Sequence, residues 1–169
     1  MCAMSINRKR AHQRAKKRVI DLSPTLNQDE LYPDPPDALH PDRDSHVRTP
    51  FGTEYYDRVW MNKSGEIVHF SIILNVAKTH RLYPVVKRLK RGRKDWLHIF
   101  RVDTWHSSIH KHQYYAYSFT SDREVLVELS GGDMMRASEK AVDSAYREQK
   151  DMLQESPQEV LRIWEGEKR

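Results

Sequence analysis

The sequence predicts an α+β domain: an antiparallel β-sheet of about five to six strands in meander order, packed by a C-terminal α-helix and a short terminal helix. Three observations predict it. Val68, Phe70, Ile72, Leu74 and Val76 occupy every second position between Glu66 and Ala77, the period of a strand with one buried face. Further short runs with strand character follow at Trp96–Val102 and Glu124–Leu129. A sustained helical stripe comes only after them: Met134, Ala137, Ala141, Ala145 and Met152 within Asp133–Gln154, widened by Val142 and Leu153. Strands first and helices afterwards place the helices together on one side of an antiparallel sheet.

Charge and proline divide the 169-residue chain before any element is assigned. Residues 1–20 hold seven Lys or Arg and no acid, so against a whole-chain charge of +5 the remainder sums to −2. The basicity therefore belongs to an arm and not to the folded body. Residues 21–50 hold six of the eight prolines with few large aliphatic side chains, the composition of a linker that cannot bury enough surface to fold. These features give a disordered basic arm at 1–20, a Pro-rich linker at 21–50 and one α+β domain at 51–169. No apolar run approaches the ~18–20 residues that span a bilayer, and no apolar stretch follows the basic N-terminus as in a secretory signal. The single cysteine, Cys2, excludes an intramolecular disulfide. A cytoplasmic protein with no membrane partner is expected.

Order is expected to begin near Phe51. Tyr55–Met61 reads as the first strand, and Asn62-Lys63-Ser64-Gly65 as a turn by composition. The five-residue apolar face of Glu66–Ala77 must be core, and His69 on its other side reads as an ordinary strand histidine. Thr79–Arg91 is ambiguous. Leu82, Val85, Val86 and Leu89 have helical spacing, but counted from a cap at Thr79, Pro84 falls too deep in a helix, so an edge strand is favoured. Lys87–Lys94 then reads as a basic hairpin tip around Gly92. Later, Thr120–Arg123 reads as a turn, Gly131-Gly132 as a break, and Ser156-Pro157-Gln158-Glu159 as a capping box with proline in the first turn. Val160, Leu161 and Trp164 would dock that last helix.

Two basic segments are candidate nucleic-acid contacts: Arg8, Lys9, Arg10, Arg14, Lys16, Lys17 and Arg18 in the arm, and Lys87, Arg88, Lys90, Arg91, Arg93 and Lys94 in the tip. Each such cation would add salt-sensitive, sequence-independent affinity for a phosphate backbone. A solvated tail and a charged edge that discourages sheet aggregation explain them equally well.

The stretch Trp96–Phe119 is the candidate site. It carries four of the nine histidines, with Arg101 and Asp103 set inside an apolar run and three histidines expected in the loop that follows. Asp103, His106, His110 and His112 have ligand types suited to a divalent metal, a minority reading beside a cofactor-free one. The metal-free alternative is phosphodiester transfer: His106 and His112 as acid and base, Arg101 on the charged phosphorane, Asp103 orienting an imidazole, and Tyr114 or Tyr115 stacking a base. Tyr115, Tyr117 and Phe119 also fit as ordinary alternating strand aromatics.

Arg101-Val102-Asp103-Thr104-Trp105-His106, followed by His110-Lys111-His112, resembles the R-Y-D-N/T-x-H…H-x-H core of small bacterial TumE-like toxin proteins and of related uncharacterised bacterial and phage domains. The resemblance spans roughly Trp60–Leu153, with about a dozen specific residues, and Val102 stands where those proteins have an aromatic. It implies a small cytosolic α+β protein, a toxin of a toxin–antitoxin pair acting on RNA and neutralised by a cognate antitoxin; if it is an enzyme, the residue chemistry above makes it a ribonuclease-like phosphodiester transferase or hydrolase. The matched positions are Arg101, Asp103, His106, His110 and His112. The alternative is a non-enzymatic nucleic-acid- or partner-binding module that uses the basic arm and tip.

Overall fold

The computed structural model describes residues 31–35 and 40–166. The basic arm, Arg8 to Arg18, and part of the Pro-rich segment lie outside the described residues. Six strands form one antiparallel sheet whose spatial order is the chain order. They are β1 (Arg43–Arg48), β2 (Thr53–Met61), β3 (Ile67–Val76), β4 (His98–Trp105), β5 (Ser108–Tyr114) and β6 (Ser121–Glu128). A short helix, α1 (Tyr83–Leu89), lies between β3 and β4. A 3₁₀ turn (Gly132–Met134) leads into α2 (Met135–Glu155), and α3 (Pro157–Glu165) follows. This is the α+β meander that the strand-then-helix pattern predicts.

The core sits on one face of the central strands. Phe70, Ile72, Leu74 and Val76 of β3 are buried, beside Val59 of β2 and Val102 of β4. Each such side chain contributes about 1.5–3 kcal/mol by leaving water. Helix α2 covers this face, with the Tyr146 ring edge-on to Phe70 at 5.6 Å between centroids. Its buried residues are Ser138, Val142, Ala145, Tyr146 and Leu153, so the stripe is rotated from the expected one and Met134 is exposed. Ser138 tolerates burial because its hydroxyl accepts from Ser130 N and donates to Ser130 O.

Several boundaries differ from expectation. Residues 43–48, read as linker, pair with β2 as an edge strand, so order precedes Phe51. The favoured edge strand at 79–91 is instead helical. Helix α1 starts at Tyr83 and not near Thr79, which puts Pro84 in the first turn, where its missing N–H has no partner to lose. The expected hairpin tip at Lys87–Lys94 is therefore the end of a helix and the turn after it. Lys90 there is buried, its ammonium donating to Tyr115 O, which removes it from any phosphate-gripping surface. Arg93 is turned onto Asp95 and Phe119 O. The residues expected as a turn at 121–123 already belong to β6, while Tyr117 and Phe119 are exposed in the loop before it.

Helix α3 starts where expected, at Ser156-Pro157, although the Ser156 side chain makes no cap bond. Val160 and Trp164 are buried and Leu161 packs against the core. Trp164 O accepts from Ala116 N at 2.7 Å, and Glu165 pairs with His80 at 3.2 Å and Arg81 at 2.8 Å. These contacts tie the last helix to the loops flanking β3 and β5. No helix among the described residues is long and apolar enough to cross a membrane.

Candidate functional site

The site is built by register. Across β4 and β5, Arg101 is paired with His112 and Asp103 with His110, which places all four side chains on one face. It is the face away from α2, since the alternate residues Phe100 and Val102 join the core. His110 and His112 were expected in a loop. They lie in a strand because β4 and β5 are joined by only two residues, His106 and Ser107, both with left-handed backbone (φ 53° and 55°). This is the two-residue hairpin that matches strand twist, here without the usual Asn-Gly. It is held by Asp34, whose carboxylate accepts from His106 N at 2.8 Å, and by Ser107 donating to Tyr32 O at 3.0 Å.

The same turn takes His106 out of the cluster. Its side chain is 73% exposed and sits 3.7 Å from Asp34. The acid–base pair of His106 with His112 is therefore not assembled. Nor do Asp103, His106, His110 and His112 converge on one point. Among the described residues no group of three or more His, Cys, Asp or Glu is placed to hold a metal ion.

Asp103 is the buried centre of what remains, with a side chain only 2% exposed. Arg101 Nε donates to its Oδ2, and His110 Nε2 lies 3.0 Å from Oδ1, off the hydrogen-bonding direction, so that Oδ1 accepts no hydrogen bond. His110 Nδ1 meets Ser108 Oγ at 3.4 Å. Arg101 and His112 are the half-exposed pair above this buried one. His112 stacks on Tyr114 with ring centroids 6.0 Å apart and meets His110 edge-on at 5.2 Å.

His98 is the residue that sequence reasoning missed. Simple alternation puts it with Phe100 and away from Arg101. A bulge in the β3–β4 pairing, where Leu74 faces Phe100 but Asn75 faces His98, turns it to the other side. Its ring packs edge-on against Tyr114 at 5.3 Å. His98 and His112 thus flank Tyr114, and the buried Nδ1 of each lacks a hydrogen-bond partner. Only the density of histidines in the stretch signalled it. Arg123 is a second addition, paired across the sheet with His112.

Burial is the main influence on all three imidazoles. It lowers the pKa of His98, reinforced by the Arg101 charge, and lowers those of His110 and His112 despite the opposing pull of Asp103. Burial also pushes the Tyr114 phenol up. At neutral pH the cluster presents neutral imidazoles beside a fixed guanidinium, a set that can accept protons and bind an anion.

Of the remaining candidate cations, Lys87, Arg88, Arg91 and Lys94 are exposed. No family model matches this chain, and neither curated proteins nor solved structures give a match to it.

Proposed function

We propose that this protein is a toxin-like, RNA-directed phosphodiester transferase whose site is the cluster around Arg101, with a cognate antitoxin as its partner. The observation that carries the reading is the pair of imidazoles, His98 and His112, on one sheet face with Arg101, each with a buried nitrogen lacking a partner. Buried unpaired polar atoms cost stability and are uncommon in folded proteins, which sets these two rings apart from ordinary strand histidines.

In this reaction the ribose 2′-oxygen attacks the adjacent phosphorus as His112 takes its proton. The phosphorane charge is met by Arg101, and the bond to the 5′-oxygen breaks as the protonated His98 supplies a proton. The products are a 2′,3′-cyclic phosphate and a free 5′-hydroxyl. Asp103 and His110 act as positioning residues: Asp103 fixes the guanidinium through Nε, and His110 supports the Asp103 carboxylate from the neighbouring strand. Because burial lowers both reactive imidazoles below their ordinary ~6.5, activity should peak on the acid side of that value and fall as His98 loses its proton.

The test is growth after induced expression, comparing wild type with a His98→Ala/His112→Ala variant at matched soluble levels, followed by RNA integrity. Wild type should arrest growth and degrade RNA while the variant does neither. Growth arrest that persists unchanged in the variant sinks the assignment.

The second reading, a binding module, draws on Lys87, Arg88, Arg91 and Lys94, exposed together at the end of α1 and the turn after it. It predicts RNA affinity whose salt slope drops when these four are neutralised, with no RNA cleavage.

A further inference from the structure

A cleft of about 280 Å³ opens on the same sheet face directly beside Arg101 and Asp103. Its floor is Ser71 and Ile73 of β3, its aromatic walls are Trp60 and Trp105, and Arg58 of β2 stands on the side away from the cluster. Arg58 and Arg101 are thus separated by one strand, with Ser71 paired to Arg58 on one side and to Asp103 on the other. Arg101, shared between cleft and cluster, fixes how a chain would run through both: phosphate at the imidazoles, and the attached nucleoside in the cleft.

We propose that this cleft binds the guanine base of the nucleotide next to the reacting phosphate, so that the enzyme selects guanine in single-stranded RNA. The inference rests on the RNA reading above. Arg58 engages Asp44 through Nε at 3.2 Å, and no hydrogen bond to another described residue occupies its two terminal nitrogens. Paired guanidinium donors match the O6 and N7 acceptors of guanine, whereas adenine places an amino donor where O6 would be, and pyrimidines lack the pair. A tryptophan face supplies the stacking that any base can use, so the half-buried Trp105 sets affinity and Arg58 sets the choice of base. Duplex RNA is excluded because a base must leave its stack to enter a sheet-face cleft.

The test uses the full chain and three probes, the 3′-monophosphates of guanosine, adenosine and uridine, with binding read from intrinsic tryptophan fluorescence. The guanosine nucleotide should bind about tenfold tighter than the other two. Arg58→Lys keeps the charge but not the paired donors, and should bring the three affinities together. Trp105→Leu should weaken all three by a similar factor. Arg58 is a half-exposed surface side chain, so these readings come from a folded protein, checked by circular dichroism. Equal binding of the three nucleotides by wild type, or a guanosine preference that survives Arg58→Lys, overturns the proposal. The two readings fail separately. Selective guanosine binding by a protein that leaves RNA intact removes the nuclease reading and keeps the subsite. RNA cleavage without base preference does the reverse.

Discussion

Among the described residues each face of the sheet buries one carboxylate, and the two are treated differently. On the helix-covered face Asp57 is met by Tyr146 at 2.7 Å, Lys150 at 3.3 Å and Arg43 at 3.8 Å. Two of those partners project from one turn of α2 and bond each other at 2.9 Å, so helix docking and charge neutralisation are one event. On the open face Asp103 has partners only from its own strand and the next, and they leave Arg101 half-exposed to solvent. The difference separates a charge closed off by its helix from one left at an open face, the arrangement on which the proposed chemistry draws. The first is enclosed by its partners, and the second holds a cation toward whatever arrives.

The sharpest way to break this comparison is to remove the chemistry of one face only. His112→Ala should lower RNA cleavage by about 10²–10⁴-fold, the usual worth of one positioned acid–base group, with little change in denaturant midpoint. A comparable loss of stability would mean that the open face is structural after all. On the other face, Asp57→Ala should cost about 3 kcal/mol in urea unfolding, because it strands Lys150 and the Tyr146 hydroxyl against the core, while leaving the residual cleavage chemistry intact.

A third expectation concerns pH. Burial under Tyr32, whose ring lies 5.2 Å away, holds the His69 imidazole down to about 4. A folded pKa below the free value means that the unfolded chain binds the proton better. The contribution of His69 is therefore complete above ~6.5 and is lost as pH falls toward 4, about 3 kcal/mol in all. His69→Leu should flatten the unfolding free energy across that window, and an unchanged slope would place the titration elsewhere. The smallest effect is at the hairpin. His106→Gly relieves a left-handed backbone that a side chain dislikes and should raise stability by about 1 kcal/mol without loss of activity. Activity lost with His106→Gly would return His106 to the mechanism.

Much of the fold was legible because β3 has a strict period of two and α2 a sustained helical spacing. What escaped notice depended on details that period counting cannot hold. Pro84 looked fatal to a helix only because the start was placed near Thr79. Arg43–Arg48 has no apolar alternation, since an edge strand half in solvent needs none, and its pairing comes from the neighbouring β2 backbone. At the site, the density of histidines beside Arg101 and Asp103 marks the right stretch, but a loop reading of His110 and His112 hides that they share one parity with Arg101 and Asp103 on two adjacent strands. His106 falls outside the cluster because it sits in a two-residue turn, which is invisible without Gly or Asn to mark it. His98 was missed because one bulge reverses parity.

The meander order has a consequence for how the protein comes into being. With every strand paired to its sequence neighbour, each hairpin can close as soon as it leaves the ribosome, without waiting for distant partners. The β4–β5 hairpin, and with it the Arg101–His112 constellation, is complete some twenty residues before α2 begins. The apolar face of β3 stays wet until that helix is made. During synthesis, then, the open face is formed while the core face is still sticky. A partner protein that docked on the nascent sheet would reach the Arg101–His112 cluster before the domain was complete.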